Sequence, residues 1–405
     1  MVYSKKKISA LAAIIALCIL VGMFLAQKML SSSNISGTGE VSENIIENSP
    51  TPNGVEEKKA VEKEEVASSK PLARAEEKNE IAPDPSDPVK FNSKEASPIS
   101  GLVCANSANK DRRPIAVMLA ADKRVRPLSG IGEADMVVEM PVITNMITRL
   151  MAVFVCNSPS EIGSIRSARH DYLTMAKSMD AMLAHWGGSH FALEMLKDKD
   201  TVPDLDAMKN SGGAFFRKAG ITAPDNGFAS YDGLLKFAKS QGWRTENKFE
   251  GYPHRDESPF DNRGKAGTLT VGFPGVFRVT YAYDPPSNTY LRSWNGNSDI
   301  DKLTGKRIAP KNVIVIFAES RQIEGQYNDV DIEGSGEMHA FMEGREFKGT
   351  WEKKKKDCAV HNDLVCISSE RMKFIKDNGK EVELVPGSIW LEVLEPGQVL
   401  RWTQN

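Results

Sequence analysis

TRLMAVFVCNSPSEIGSIRSARHDYLTMAKSMDAMLAHWGGS, residues 148–189, is the stretch around which the rest of the chain can be ordered. After Arg149, Leu150–Val155 is a short apolar run with the β-branched character of a buried strand. Asn157, Ser158 and Pro159 make a turn. In Ile162–Arg169, small residues alternate with Arg166 and Arg169, so a guanidinium there can reach a ligand without bulky neighbours. Asp171–Met179 reads as a helix and Ala181–His185 as another strand, closing on Gly187, Gly188 and Ser189. Ligands gather at the carboxyl edge of α/β sheets. The stretch points to an anion-handling site.

Working outward, Pro114–Ala120 and Ala134–Glu139 supply two more apolar strands, with Pro141 ending the second. Phe191–Lys197 and Gly233–Gln241 read as helices. Residues 101–250 are therefore expected to form an α/β domain, a layered sheet with helices. Residues 268–404 read as a smaller all-β domain, a small barrel or sandwich. Its expected strands are Val276–Tyr283, Thr289–Trp294, Val313–Phe317, Glu337–Met342, Glu346–Trp351, Ser388–Leu394 and Val399–Thr403. Thr245–Gly267, polar and rich in Pro and Gly, is the expected connector. The run Lys353–Lys356 reads as a solvated loop that can also meet an anionic surface.

At the N-terminus, Lys5, Lys6 and Lys7 precede Ile8–Ala26, nineteen residues without a charge, enough to cross a bilayer core as a helix. Residues 1–30 are thus expected to be a membrane anchor with its N-terminus in the cytoplasm and the domains outside. A cleaved signal peptide is the rival, but the bulky Phe24 sits where a small residue is expected. Residues 31–100 are Ser-, Glu-, Lys- and Pro-rich and read as a disordered tether, averaging roughly 40–50 Å end to end. The net charge of −2 provides no basic field for nucleic acid. Outside Cys18 there are Cys104, Cys156, Cys358 and Cys366, an even set suited to two disulfides in an oxidising space. Three pairings are open; Cys104–Cys156 with Cys358–Cys366 is the most local. No C-x-x-C pair suggests zinc, and no metal or cofactor is expected.

RPIAVMLA, RPLSGIGEADMVVEMPV, ITRLMAVF, the 162–189 stretch and APDNGFAS together resemble the YerB-like envelope proteins, a bacterial family of two consecutive domains of unknown function. The resemblance spans about residues 113–244 and 277–397. It implies a membrane-tethered extracytoplasmic protein, often a lipoprotein, with no established reaction. Leu17 stands where a small residue would precede a lipidated cysteine, and Asp225 stands before Asn226 where histidine is expected. A local likeness to the LytR-CpsA-Psr cell-wall ligases places Arg149, Arg166 and His185 on comparable positions. That family grips a lipid-linked pyrophosphate with arginines and holds magnesium with acids, but Leu150, Met151 and Ser167 occupy the acidic places.

Arginine suits such ligands because its planar fork bonds two phosphate oxygens at once. The ligand-binding candidates are therefore Arg149, Arg166, Arg169, Ser189, Arg217 and Asn226. Glu139, Asp171 and His185 are the candidates for catalysis, with Asp171 alternatively a helix cap. The expected function is binding an anionic envelope ligand: a glycopolymer, a lipid-linked pyrophosphate or peptidoglycan. The alternative is an envelope phosphotransferase like those ligases, and only then does magnesium enter.

Overall fold

Strand β1 (Ile115–Ala120) is apolar and buried at every position because a packed layer covers each of its faces. Ile115, Val117 and Leu119 enter one apolar cluster, while Ala116 and Met118 enter another. The structure, a computed structural model, describes residues 88–209, 212–355 and 367–404. In the first half it contains β2 (Met136–Ile143), β3 (Ile147–Phe154), β4 (Ile162–Gly163), β5 (Met182–His185), β6 (Asp204–Asp206), β7 (Phe215–Arg217) and β8 (Gly227–Ala229). Short helices span His170–Ser178, His190–Met195 and Tyr231–Ser240.

The second half supplies β9 (Gly267–Gly272), β10 (Val279–Asp284), β11 (Thr289–Trp294), β12 (Asn297–Ser298), β13 (Asn312–Phe317), β14 (Ser320–Glu324) and β15 (Tyr327–Val330). It continues with β16 (Gly334–Met342), β17 (Arg345–Lys353), β18 (Lys373–Lys376), β19 (Ile389–Leu394) and β20 (Val399–Gln404).

Ten strands form one mixed sheet in the order β18-β17-β16-β13-β19-β2-β3-β1-β5-β6, and five form a second in the order β12-β11-β10-β9-β20. The described chain is thus dominated by β-structure with few helices. Residues 268–404 do not close into a barrel or sandwich of their own. Their β13 and β16–β19 extend the sheet begun by the first half, and parallel pairing of β19 with β2 makes the join. The five-stranded sheet covers one face, where Leu269, Val271, Tyr281 and Tyr290 share a cluster with Val117, Leu150 and Val313. Helix His170–Ser178 covers the other, packing Tyr172, Leu173, Met175 and Ala176 against Met118, Met140 and Met151.

Several local expectations are corrected. β2 runs on through Pro141 to Ile143, with an irregularity in its pairing there. Residues 88–100 are part of the folded body rather than tether: Ile99 is fully buried, and the Val89 amide donates to Glu257 at 2.9 Å. The connector is likewise packed, since Arg255 and the Ser258 amide hold the Glu343 carboxylate at 2.7 and 2.5 Å. Lys353 turns inward to Glu333 at 3.2 Å and to the Ser368 carbonyl at 3.1 Å, leaving the solvated run. Among the described residues no helix is long and apolar enough to cross a membrane. The expected anchor, Cys358 and Cys366 lie outside the described residues.

Between the sheets lies a buried charge network. Parallel pairing sets Glu139 of β2 beside Glu392 of β19, both fully buried. Arg292 of β11, also fully buried, donates to Glu139 at 2.5 Å and to Asp299, and its Nε lies 3.9 Å from Glu392. Burial opposes the Arg292 charge, but the surrounding acids outweigh it and raise its pKa. Thr148 donates to Glu139 at 2.6 Å and Tyr281 to Glu392. Burial, with Glu139 beside it, pushes the Glu392 carboxyl up to about 8.

A free glutamate titrates near pH ~4.3. Between that value and about 8 the folded chain therefore keeps a proton that the unfolded chain has released. This contribution is whole below pH ~4.3 and is lost as the pH climbs through about 8. Glu392→Gln is accordingly expected to gain thermal stability relative to the parent as pH rises from 5 to 8. An equal melting difference at both ends would show that Glu392 does not hold the proton.

The Cys104–Cys156 disulfide is present and closes a sequence separation of 52 residues. On the chain-entropy account such a loop is worth about 4 kcal/mol. Denaturation with and without reductant should show a loss approaching that size; an unchanged midpoint would mean the bond contributes nothing.

Candidate functional site

β3 alternates between the two layers, so Arg149, in phase with Met151 and Val153, falls on the face covered by helix His170–Ser178. Residues 164–169 then run along the sheet edge. Ile165 bridges Leu119 of β1, the Arg166 amide donates to the Met118 carbonyl at 2.9 Å, and the Ala168 amide donates to Gly187 at 2.9 Å. Ile162–Gly163 pairs with β8. The chain brings Arg149, Arg166 and Arg169 within electrostatic reach: burial first, then Arg169 and Arg166, lowers the Arg149 pKa to about 9.

The three arginines differ in how they are satisfied. Arg166 is 7% exposed and donates to the Ser164 hydroxyl at 2.8 Å, to the Pro224 carbonyl at 2.8 Å and to Asp225. Asp225 also pairs with Arg124 at 2.8 Å. The Arg166 bonds to Pro224 and Asp225 tie down the 222–226 loop and its bond to Ser164 holds its own segment, so its donors are taken up within the fold. Among the described residues Arg149 donates only to the Ser167 carbonyl at 2.9 Å, and its buried Nε finds no partner. Arg169 donates to the Ala168 carbonyl at 3.2 Å, its buried Nε is likewise unpartnered, and its guanidinium lies 5.3 Å from the Tyr327 ring centre. Among the described residues neither Arg149 nor Arg169 forms an ion pair. Burial is the main reason the Arg169 pKa is also lowered.

The other sequence candidates scatter. Glu139 belongs to the inter-sheet network and is away from the arginines' face. Ser189 is 1% exposed, and its hydroxyl caps helix His190–Met195 by accepting from the Ala192 amide at 3.1 Å. His185 is fully buried, with Nε2 2.7 Å from Asp204 and Nδ1 2.8 Å from the Gly187 carbonyl. Both ring nitrogens face acceptors, so this histidine holds the 187–206 loops together. Arg217 and Asn226 do meet, at 2.5 Å, with the guanidinium 4.2 Å from the centre of the Trp186 ring. They form an exposed stack beside the loop that Arg166 anchors.

Asp171 is not the helix cap; Arg169 occupies that position and makes no side-chain cap. The Asp171 carboxylate accepts from the Val330 amide at 3.0 Å, and its second oxygen is buried without a partner. Burial pushes its pKa up to about 6, against the pull of His170. His170 sits with Nε2 3.4 Å from Asp171 and 3.3 Å from Asp329. Burial alone would lower the His170 pKa, but the two carboxylates raise it. Tyr327, Asp329 and Val330 all come from the β14–β15 hairpin, which sequence reading missed. It is fixed by Asn328 donating to the Pro141 carbonyl at 3.4 Å and by the 3.1 Å contact between the Thr144 and Ser320 hydroxyls.

Among the described residues two groups gather ligating atoms within 4.8 Å: His185, Asp204 and Asp206, and His170, Asp171 and Asp329. A separate groove of about 820 Å³, lined by Arg113, Asp180, Arg371 and Glu381 among others, has these cations paired with these acids, unlike the arginine site.

The likeness to LytR-CpsA-Psr ligases finds no support. The family described as protein of unknown function DUF3048 matches residues 92–244 with its N-terminal domain and 269–391 with its C-terminal domain. YerB of Bacillus subtilis (strain 168), whose name proposes that it is a lipoprotein, is 27% identical over 305 residues, covering 74% of this chain and 86% of YerB. The crystal structure of YerB from Bacillus subtilis superposes with a TM-score of 0.66 at 25% identity, covering 76% of this chain and 99% of that one. With both halves matched in order, the chain belongs to the YerB-like family of paired DUF3048 domains.

Proposed function

We propose that the chain is a membrane-tethered extracytoplasmic binding protein whose Arg149 and Arg169 hold a phosphate-type anion of the cell envelope. One observation carries this reading. Two part-buried guanidiniums lie within mutual repulsion, each with a buried Nε that no group among the described residues satisfies. Like charges held together out of water are costly, and an anion bearing two negative charges would relieve both the repulsion and the missing hydrogen bonds. Neighbouring Arg166 shows the contrast, because Asp225 already neutralises it. The Cys104–Cys156 bond and the lipoprotein naming of YerB support an extracytoplasmic location, and the uncharged run 8–26 supports the tether. Arg217 and Asn226 would serve as an outer contact for a longer polymer.

Inorganic pyrophosphate titrated into the purified chain tests the site. Arg149→Ala and Arg169→Ala should each weaken binding about 10–100-fold, since a charge-assisted hydrogen bond is worth about 1.5–3 kcal/mol. Neither should lower the melting temperature appreciably, because each removes a repelled cation. Arg166→Ala should instead unfold several degrees earlier. Pyrophosphate binding that is unchanged in both the Arg149 and Arg169 variants would refute the reading.

A further inference from the structure

We propose that His170, Asp171 and Asp329 bind a divalent transition metal, zinc by preference, through His170 Nε2 and one oxygen of each carboxylate. The proposal stands on different atoms from the anion site and does not require it. The two clusters of ligating groups differ in a telling way. In the His185 set the donors are spoken for: both ring nitrogens are bonded, Asp204 pairs with Lys209, and Asp206 accepts from the Gly187 and Met208 amides at 3.0 Å each. That set is a finished hydrogen-bond network.

The His170 set is unfinished. The Asp171 side chain is 3% exposed and that of His170 6%, yet among the described residues Asp171 Oδ2 and His170 Nδ1 have no partner. Asp171 Oδ1, which accepts from the Val330 amide, is the oxygen that faces His170 Nε2, and Oδ2 of the same buried carboxylate is the one left idle, which is costly to keep. Distances point the same way. A charge-assisted N–H···O bond closes to about 2.7–2.9 Å, as His185 does with Asp204 at 2.7 Å. His170 Nε2 instead stands 3.4 Å from Asp171 Oδ1 and 3.3 Å from Asp329 Oδ1. Zinc bonds of about 2.0–2.1 Å at the tetrahedral angle set neighbouring ligand atoms about 3.3–3.4 Å apart.

The surroundings suit such an ion. Arg321 holds the far oxygen of Asp329 at 2.5 Å, the kind of outer bond that orients a ligating carboxylate. Val330 holds Asp171 at 3.0 Å from the same hairpin. One nitrogen and two oxygens match zinc better than calcium or magnesium, which favour all-oxygen sets. Three protein donors leave a fourth position for water or an anionic group. The ion would fasten the hairpin from the second half to the helix of the first.

The test uses the tag-free full chain in detergent, stripped with chelator and then dialysed against zinc. About one zinc per chain and a raised melting temperature are expected. Asp329→Asn and His170→Gln should weaken binding at least tenfold, while Asp204→Asn leaves it unchanged. Cobalt in place of zinc should give the strong visible bands of four-coordinate geometry, a readout on the parent chain that needs no variant to fold. No retained zinc, weak six-coordinate cobalt bands, or loss of binding in Asp204→Asn would each overturn the assignment.

Discussion

Two carboxylates placed side by side in a protein interior are the constraint on which this structure depends. Pairing β2 with β19 sets Glu139 against Glu392, and nothing in either strand can neutralise them. Arg292 pairs with Glu139 from the facing sheet, while burial lets Glu392 keep its proton up to about 8 and Tyr281 donates to it. Removing one partner of a buried pair typically costs about 3–5 kcal/mol, so the join between the halves of the sheet depends on the layer above it. The halves that match two consecutive family domains are therefore interlocked, with the seam of the ten-stranded sheet held by a side chain outside that sheet.

The candidate site inherits its geometry from this seam. β2 carries β3 beside it, and β3 presents Arg149 on the helix-covered face. On the other side β13 leads into the β14–β15 hairpin, which returns over the start of helix His170–Ser178 with Tyr327 near Arg169 and Asp329 near His170. The arginines come from the first half, and the groups that cover and flank them come from the second. Neither half alone would hold both.

Much of this was legible in the sequence where the signal is local. The strands around Pro114–Ala120 and Leu150–Val155, the helix near Asp171–Met179 and the strand Thr289–Trp294 follow from periodicity and turn residues, and the structure places them within a few residues. What escaped was set by pairing at long range. Polar β14 and β15 carry little apolar alternation, and Asp329 meets His170 across 159 residues. Arg166 looked like a ligand contact because the Asp225 that neutralises it lies 59 residues on. Glu139 looked catalytic because its partner Arg292 is 153 residues away. An acid or base at a strand end cannot be assigned a role until its counter-charge is known.

The central claim is that the two family segments make one folding unit through the buried Arg292 network, and that the site exists only within that unit. Scanning calorimetry of the full chain tests it most directly. A single transition, with calorimetric and van't Hoff enthalpies equal, is the predicted result. Two separable transitions, one for each matched segment, would contradict it.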